Sequence, residues 1–423
     1  MTYKIFSLGC KVNSYECNAL SSLLKKEGFL ECKDDNPDVV IINTCSVTQT
    51  ADQKSRQHIR KFKKLYPNAC VVVMGCYAQG NKEYIKNNLQ PTILIGTSNR
   101  NKIPNLVNEY FRTHQNIVEV NDDVFHFEYE DFGITSFTER VRAFLKIQDG
   151  CSNFCSYCIV PYRRGRSRSR PFDSVINEAQ QLVSDGYSEI VLTGIHIGGY
   201  GQDLKDVNFS DLVEALLKID GLKRLRISSI EESEIDDKLI ELYRTNNNLA
   251  RHMHIPLQSG SSTVLSRMYR KHNAARFLEK IKKIKEADPH IMLSTDVIVG
   301  FPGETEEEFK ETINFINECD FNQLHVFPFS AREGTKAASM PNQIDPKIKK
   351  ERANTLLNLS KQMWNKYLES CMGSEEQVLV ESFANGMNIG HTSNYIEISI
   401  PSNEGRINEF VNIKIDKNTI ISK

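Results

Sequence analysis

No apolar run in the 423-residue chain approaches the ~18–20 residues needed to cross a bilayer, so no membrane-spanning role is expected. The amino terminus, MTYKIFSLGC, lacks a basic stretch followed by an apolar core, so no secretory signal is expected. Net charge is almost absent: 53 Lys and Arg against 54 Asp and Glu leave −1. A polycation is thereby excluded, and contact with nucleic acid has to come from local patches. Paired C-x2-C knuckles, the mark of structural zinc, are also missing. The 11 cysteines are an odd number. A reducing, cytoplasmic compartment is expected, where cysteine clusters bind metal more often than they form disulfides. The chain is too long for one small core, and two or three domains follow.

What is present is alternation. TYKIFSLG, DVVIINT, CVVVMG and TILIG are short β-branched runs that read as buried parallel strands. Helical patterns lie between them around Ser14–Lys26 and Ala51–Tyr66. Residues 1–112 are thus expected to form a small doubly wound α/β domain. A polar, acidic connector over 113–136 follows. A second alternation fills 137–368, with strands expected at AFLKIQ, EIVLTGI, LRISSI, HMHIPL, IMLSTDVIVG and NQLHVFPFS. Six strands make a partial (β/α)6 barrel. Its last part is a helical connector, Pro346–Cys371. The tail, 369–423, carries EQVLVES, NYIEISIPS and NEFVNIKI between turn residues and reads as a small β-barrel.

Chemistry concentrates in DGCSNFCSYCIVPYRRGRSRSRP. Cys151, Cys155 and Cys158 follow a barrel strand, at the carboxyl end where such folds place active sites. Three thiolates suit a [4Fe–4S] cluster with one iron open to a ligand; buried cysteines and an incomplete zinc site are the alternatives. Gly150, Asn153 and Pro161 argue against a packed helix there. Cys10, Cys45 and Cys76 each follow a buried strand, so they can meet in the crevice beyond the strand ends. Simple burial is the alternative. Cys17, Cys32, Cys70, Cys319 and Cys371 have no such pattern and read as small hydrophobes. His252 and His254 alternate on a strand and are not expected to be ligands. Arg163, Arg164, Arg166, Arg168 and Arg170 crowd one stretch, and alternation puts the last three on one side of an extended segment. Such a row binds phosphates. Lys54, Arg56 and Arg60 begin a second basic stretch after Cys45.

The spacing of Cys151, Cys155 and Cys158, with an aromatic at Tyr157, resembles the signature of the radical S-adenosylmethionine (AdoMet) superfamily. GCKVNSYE, NTCSVTQTADQKSRQ, GCYAQ, HIPLQSGSSTVLSRMYRKH, DVIVGFPGETEEEF and HVFPFSAREGTKAASMP resemble, in order, the methylthiotransferases of that superfamily. NIGHTSNYIEISI resembles their TRAM domain. The resemblance implies two [4Fe–4S] clusters, one on Cys151, Cys155 and Cys158 that binds AdoMet, and an auxiliary one on Cys10, Cys45 and Cys76. It places Tyr157, Thr193, Gly194, Ser228, Ser229 and Arg270 around AdoMet, and makes a tRNA anticodon loop the partner of the basic stretches. Gly300, Pro302, Gly303 and Glu304 form a tight turn, and Arg267 lies on a helix face. An electron donor such as flavodoxin or ferredoxin, and a sulfur source, are further implied partners; a monomer is expected. Within the family, the motifs are most similar to the branch that makes the 2-methylthio derivative of N6-threonylcarbamoyladenosine. Methylthiolation of an isopentenyl adenosine or of a ribosomal protein stays open, as does a non-catalytic iron–sulfur sensor. The tail runs against RNA binding, since Arg406, Lys414, Lys417 and Lys423 face seven acidic residues after Cys371.

Overall fold

The computed structural model describes residues 1–33, 36–133, 141–270 and 274–421. Strands β1 (Thr2–Ser7), β2 (Leu30–Glu31), β3 (Val39–Thr44), β4 (Cys70–Gly75), β5 (Ile93–Ile95) and β6 (Ile117–Glu119) form one sheet in the order β2-β1-β3-β4-β5-β6. Every pairing is parallel. All residues of β3 and β4 are buried, as continuous β-branched runs covered on both faces must be. Val39, Ile41 and Val72 pack under helix α1 (Lys11–Lys26) and helix Ile103–Thr113. Val40, Ile42, Val71 and Val73 pack under α2 (Gln49–Leu65). The doubly wound reading holds, with a strand beyond it: β6 lies in the expected connector and pairs with β5. The expected boundary at 136–137 lies outside the described residues.

Strands β7 (Arg142–Lys146), β10 (Glu189–Thr193) and β11 (Arg224–Ile227) form one parallel sheet. Strands β12 (His252–His254), β13 (Met292–Val299) and β14 (Gln323–Pro328) form another. Single parallel bridges, Leu225 to Leu249 and Ser229 to His254, join them. The result is the six-strand partial barrel, in the order β7-β10-β11-β12-β13-β14. Between β7 and β10, a two-residue ribbon of β8 (Gln148–Asp149) and β9 (Arg168–Ser169) closes the base of the cysteine–arginine loop.

The tail is a curled four-stranded antiparallel sheet, a half-barrel of order β17-β16-β15-β18. These strands are β15 (Glu375–Ala384), β16 (Met387–Thr392), β17 (Glu397–Pro401) and β18 (Phe410–Lys414). The sequence reading has three strands here and lacks β16, because Gly390 interrupts its pattern. A side chain at Gly390 would lie 1.9 Å from the Leu379 carbonyl oxygen, beside the register shift at Val380/Ser382. Glycine there is the residue of a close approach. The Asn385–Gly386 turn, both at positive φ, is the hairpin signal that marks β16.

The half-barrel seals the amino-terminal end of the barrel strands through buried arginines. Arg224 donates to the carbonyls of Gln377 (2.7 Å) and His391 (3.2 Å). Arg226 donates to those of Ser393 (2.9 Å) and Thr392 (3.2 Å). Glu189 holds both guanidinium groups, at 3.1 and 2.9 Å. Burial alone would raise its carboxyl, yet Arg226 and Arg224 keep it below the usual range. Glu381 of the tail pairs with Arg142 at 3.1 Å, so part of the tail's acidity answers barrel arginines rather than solvent. Replacing Glu189 with alanine strands two buried cations. The expected loss is about 3–5 kcal/mol, measured by denaturant unfolding, with earlier proteolytic release of the half-barrel.

Candidate metal centres and active site

Strands β1, β3 and β4 are neighbours, and each hands its chain to a cysteine at its carboxyl end. Cys10 caps α1, Cys45 follows β3, and Cys76 opens a short helix, α3 (Cys76–Gly80). Two glycines make the convergence possible. A Cβ on Gly9, at φ +101°, would lie 2.6 Å from Cys45 Sγ, and one on Gly75, at φ +97°, would lie 2.4 Å from Asn43 Oδ1. Each therefore excludes a side chain. Cys45 and Cys76 are buried while Cys10 is partly open. Burial pushes the Cys76 thiol up to about 11, with Arg164 opposing and Cys45 and Cys10 adding to the rise.

Cys151, Cys155 and Cys158 lie on the loop after β8, all partly open. The Cys158 N–H donates to the Cys155 carbonyl at 2.9 Å, and the Cys151 N–H to that of Gly165 at 3.0 Å. Ser156 fixes the middle of the loop, its Oγ donating to the Arg267 carbonyl at 2.8 Å. Burial raises the Cys151 thiol to about 11 and that of Cys158 to about 12, with neighbouring cysteines adding to both. Gln148 ties this loop to the end of β10. Its Oε1 accepts from the N–H of His196 (2.7 Å), while its Nε2 donates to the Gly150 carbonyl (2.7 Å).

A buried charge network joins the two cysteine sets. Arg164 Nε donates to Cys76 Sγ at 3.1 Å. Its Nη1 donates to Glu16 at 2.7 Å and Asp149 at 3.1 Å, and its Nη2 to Asn13 Oδ1 at 3.0 Å. Asn13 Oδ1 also accepts from the Cys10 thiol at 3.6 Å. Arg100 (2.6 Å) and Lys146 (3.1 Å) complete the shell of Glu16. Lys146 (2.6 Å) and Arg168 (3.3 Å) complete that of Asp149. Burial works against the charge of Glu16, yet Arg100, Arg164 and Lys146 hold its carboxyl far below the usual range. Four cations thus surround Glu16 and Asp149, Glu130 answers Arg100 as a third carboxylate at 2.8 Å, and the remaining positive charge touches Cys76 through Arg164.

Among the described residues no three Cys, His, Asp or Glu side chains converge closely enough to hold a single metal ion. A four-iron cube spaces its thiolates more widely, and two sets of three thiols fit it. The surplus positive charge favours thiolates and an anionic cluster at Cys76. Beside the second set, His196 Nδ1 and Glu234 Oε2 are buried without partners, while His196 Nε2 meets Glu234 Oε1 at 2.6 Å and Asn153 Nδ2 at 3.1 Å. These orphaned atoms suit a polar cofactor. The sequence reading missed them, although GIHIGG follows a strand whose end it had marked. Glu16, Lys146, Gln148 and Asp149 were missed as well.

Several expected site residues gather around the Cys151 loop. Thr193 and Gly194 end β10, and a Cβ on Gly194 would lie 2.9 Å from the Gln148 carbonyl oxygen. Ser228 donates to the Leu192 carbonyl, and Ser229 is exposed at the end of β11. Tyr157 is half-buried against Val264, Met268 and Phe301. Arg270 comes within 3.9 Å of Cys155 Sγ; Glu231 (2.8 Å) and the Pro256 carbonyl (3.1 Å) take its Nη donors, while its Nε is buried without a partner. One donor, rather than a two-nitrogen fork, is thus left beside Cys155. Arg267 pairs with Glu308 at 2.7 Å, and Glu304 accepts from the Gly300 N–H at 2.6 Å. That turn is structural.

The expected row of RNA-binding arginines needs correction. Arg164, Arg168 and Arg170 are buried. Arg164 and Arg168 belong to the network above, and Arg170 pairs with Glu178 and, at 3.0 Å, with Asp131. None offers a donor to a phosphate. Arg163 is half-buried over Gly80, where a Cβ would lie 2.0 Å from its Cζ. Arg166 is exposed. On α2, Lys54 and Arg60 are exposed and Arg56 half-buried, with Arg56 and Arg60 touching Tyr77 and Tyr84 at 3.4 and 3.3 Å.

Comparison with known proteins matches this geometry. A profile described as the Radical SAM superfamily covers residues 145–316, and one described as Uncharacterized protein family UPF0004 covers residues 2–96. The threonylcarbamoyladenosine tRNA methylthiotransferase MtaB of Bacillus subtilis is 45% identical, covering 98% of this chain and 94% of that protein. A tRNA-2-methylthio-N(6)-dimethylallyladenosine synthase of Clostridium botulinum is 36% identical, covering 97% and 93%. The solved structure of the radical AdoMet methyltransferase TsrM from Kitasatospora setae superposes with a TM-score of 0.61 at 14% identity, covering 92% of this chain and 76% of that one; it supports the fold alone. Identity of this degree over nearly the whole chain places the protein in the methylthiotransferase family of radical AdoMet enzymes.

Proposed function

We propose that the protein converts N6-threonylcarbamoyladenosine beside the tRNA anticodon into its 2-methylthio derivative, in the cytoplasm. The observation that carries this reading is the pairing of two three-thiol sets, at the carboxyl ends of two sheets, through one buried arginine. Cys151, Cys155 and Cys158 hold the cluster that binds AdoMet; Cys10, Cys45 and Cys76 hold the auxiliary one. When bound, these groups supply the one-electron chemistry that opens the unactivated adenine C2–H bond and the sulfur that replaces its hydrogen. The chain's own work is positional. Gln148 and Ser156 fix the first cysteine loop, Gly9 and Gly75 let the second set approach, and Arg164 holds the sets in one frame. Thr193, Gly194, Ser228, Ser229 and Tyr157 border the cofactor. Lys54, Arg56, Arg60 and Arg163 meet RNA phosphate, and Arg166 meets the RNA beside the cysteine loop. An electron donor and a sulfur source complete the cycle.

The N6 substituent is favoured by a specific lining. On the concave face of the barrel, His254 Nε2 meets Asp296 Oδ1 at 3.2 Å, and its Nδ1 lies 2.9 Å from Ser294 Oγ. The His325 ring lies tilted 5.3 Å from that of His254, and burial holds its protonation down, with His254 and Lys11 adding to the effect and Asp296 opposing it. A polar face of imidazoles, hydroxyl and carboxylate suits a hydrogen-bonding threonylcarbamoyl group better than an isopentenyl chain.

Two measurements test this. With AdoMet and reductant under anaerobic conditions, Cys45→Ala is expected to keep forming 5′-deoxyadenosine while making no methylthio product, and Cys155→Ala to lose both. Methylthio product from Cys45→Ala refutes the auxiliary assignment. Mass spectrometry of nucleosides from a deletion strain is expected to show threonylcarbamoyladenosine accumulating without its 2-methylthio form. Loss of the methylthio isopentenyl nucleoside instead transfers the assignment to that substrate.

A further inference from the structure

The acidic connector lays one aromatic ring after another against cations. Phe132 lies 5.5 Å from Arg100, Tyr129 5.5 Å from Lys146, Phe127 5.8 Å from Arg168, and Phe125 6.0 Å from Arg166. The first three cations are buried, and each has a carboxylate partner in Glu16 or Asp149. The fourth differs on both counts. Arg166 is exposed, and among the described residues no carboxylate pairs with it. Its guanidinium also lies 5.9 Å from the ring of Phe154.

Phe154 stands between Cys151 and Cys155 at φ +48°, a left-handed conformation that costs a bulky residue energy and gathers at functional sites. Its ring packs 6.1 Å from Phe125 and 5.9 Å from Tyr162. Phe125 and Tyr162 stay 38% and 41% exposed, so two large rings beside the cysteine loop keep a face in water. Packing of the connector does not require this, since Phe127, Tyr129 and Phe132 meet their cations while half-buried.

We propose that Phe125, Phe154, Tyr162 and Arg166 form a stacking platform for an unpaired nucleobase flanking the reacting adenosine. The inference rests on the RNA substrate proposed above. Unpaired loop bases are taken up on aromatic and guanidinium faces, and every base offers a π-face. A phosphate alone makes no use of three rings, whereas a base uses the rings and the uncompensated cation together.

The test uses the full-length holoenzyme and a fluorescent anticodon stem–loop carrying threonylcarbamoyladenosine, with affinity read across a salt series. Phe125→Ala and Tyr162→Ala are each expected to weaken binding about 5- to 150-fold with the salt slope unchanged, because no phosphate contact is lost. Phe125→Leu keeps apolar bulk against Arg166 and removes the π-face; it is expected to weaken binding with the melting temperature retained. An abasic nucleotide on one side of the target is expected to cost the wild type as much as Phe125→Ala does, and to cost that variant nothing more. Wild-type affinity in the Phe125 and Tyr162 variants, or additive losses at both flanking positions, overturns the platform. A wild type that fails to bind the stem–loop overturns the tRNA reading itself, and a wild type that prefers a basic protein points to the other branch of substrates.

Discussion

One buried guanidinium constrains the rest of the site. Arg164 spends all three nitrogens inside the protein, on Cys76, on Glu16 and Asn13 from α1, and on Asp149 at the base of the barrel's cysteine loop. Burying an ion costs several kcal/mol even after relaxation, so such a group persists only when every donor is answered. Here the answers come from both sheets. Moving either cysteine set relative to the other breaks a charge-assisted bond in a medium that cannot replace it with water. A mobile interface between two domains would satisfy the same hydrophobic demands; this one adds a directional lock where the chemistry needs fixed distance.

The connector then turns that lock into a sealed unit. Phe127, Tyr129 and Phe132 lay their rings against Arg168, Lys146 and Arg100. Tyr129 further donates to the Lys146 carbonyl at 2.9 Å, and Glu130 takes Arg100 at 2.8 Å. Cations that meet both carboxylates and π-faces are shielded from water without losing electrostatic partners. A stretch with the composition of a polar linker therefore behaves as a clamp, and its aromatic alternation is the feature that distinguishes the two.

Strands and thiol sets were legible because each rests on a local pattern. β3 and β4 are continuous β-branched runs, and SLGC, INTC and MGC repeat the same strand-to-cysteine step. The short β6 and β12, of three residues each, carry too little periodicity to bound. The fate of the arginines was not legible at all. Alternation in RGRSRSR predicts one exposed side, but the carboxylates that bury Arg164 and Arg170 include Glu16, 148 positions away, and Asp131, 39 away. Arg166 lacks such a partner and stays outside. Whether an arginine is buried depends on long-range charge pairing, which no window of sequence contains.

On the proposed function, the same geometry dictates what kind of substrate can enter. Both cysteine sets sit beyond the carboxyl ends of their strands, and Arg164 bonds directly to Cys76 and to Asp149 at the base of the Cys151 loop. An adenine whose C2 must reach both chemistries has to leave its stack and arrive alone. Extrusion from a duplex costs unpairing and unstacking energy, least for a base that is already single-stranded. An anticodon loop meets that condition, and Lys54 and Arg60 on α2, with Arg166 beside the cysteine loop, stay exposed to meet it. The half-barrel, with its arginine-bound carbonyls and Glu381 turned toward Arg142, closes the far end of the barrel. Its acidity thus does not oppose RNA arriving at the other end, because the two functions occupy opposite ends of the same strands.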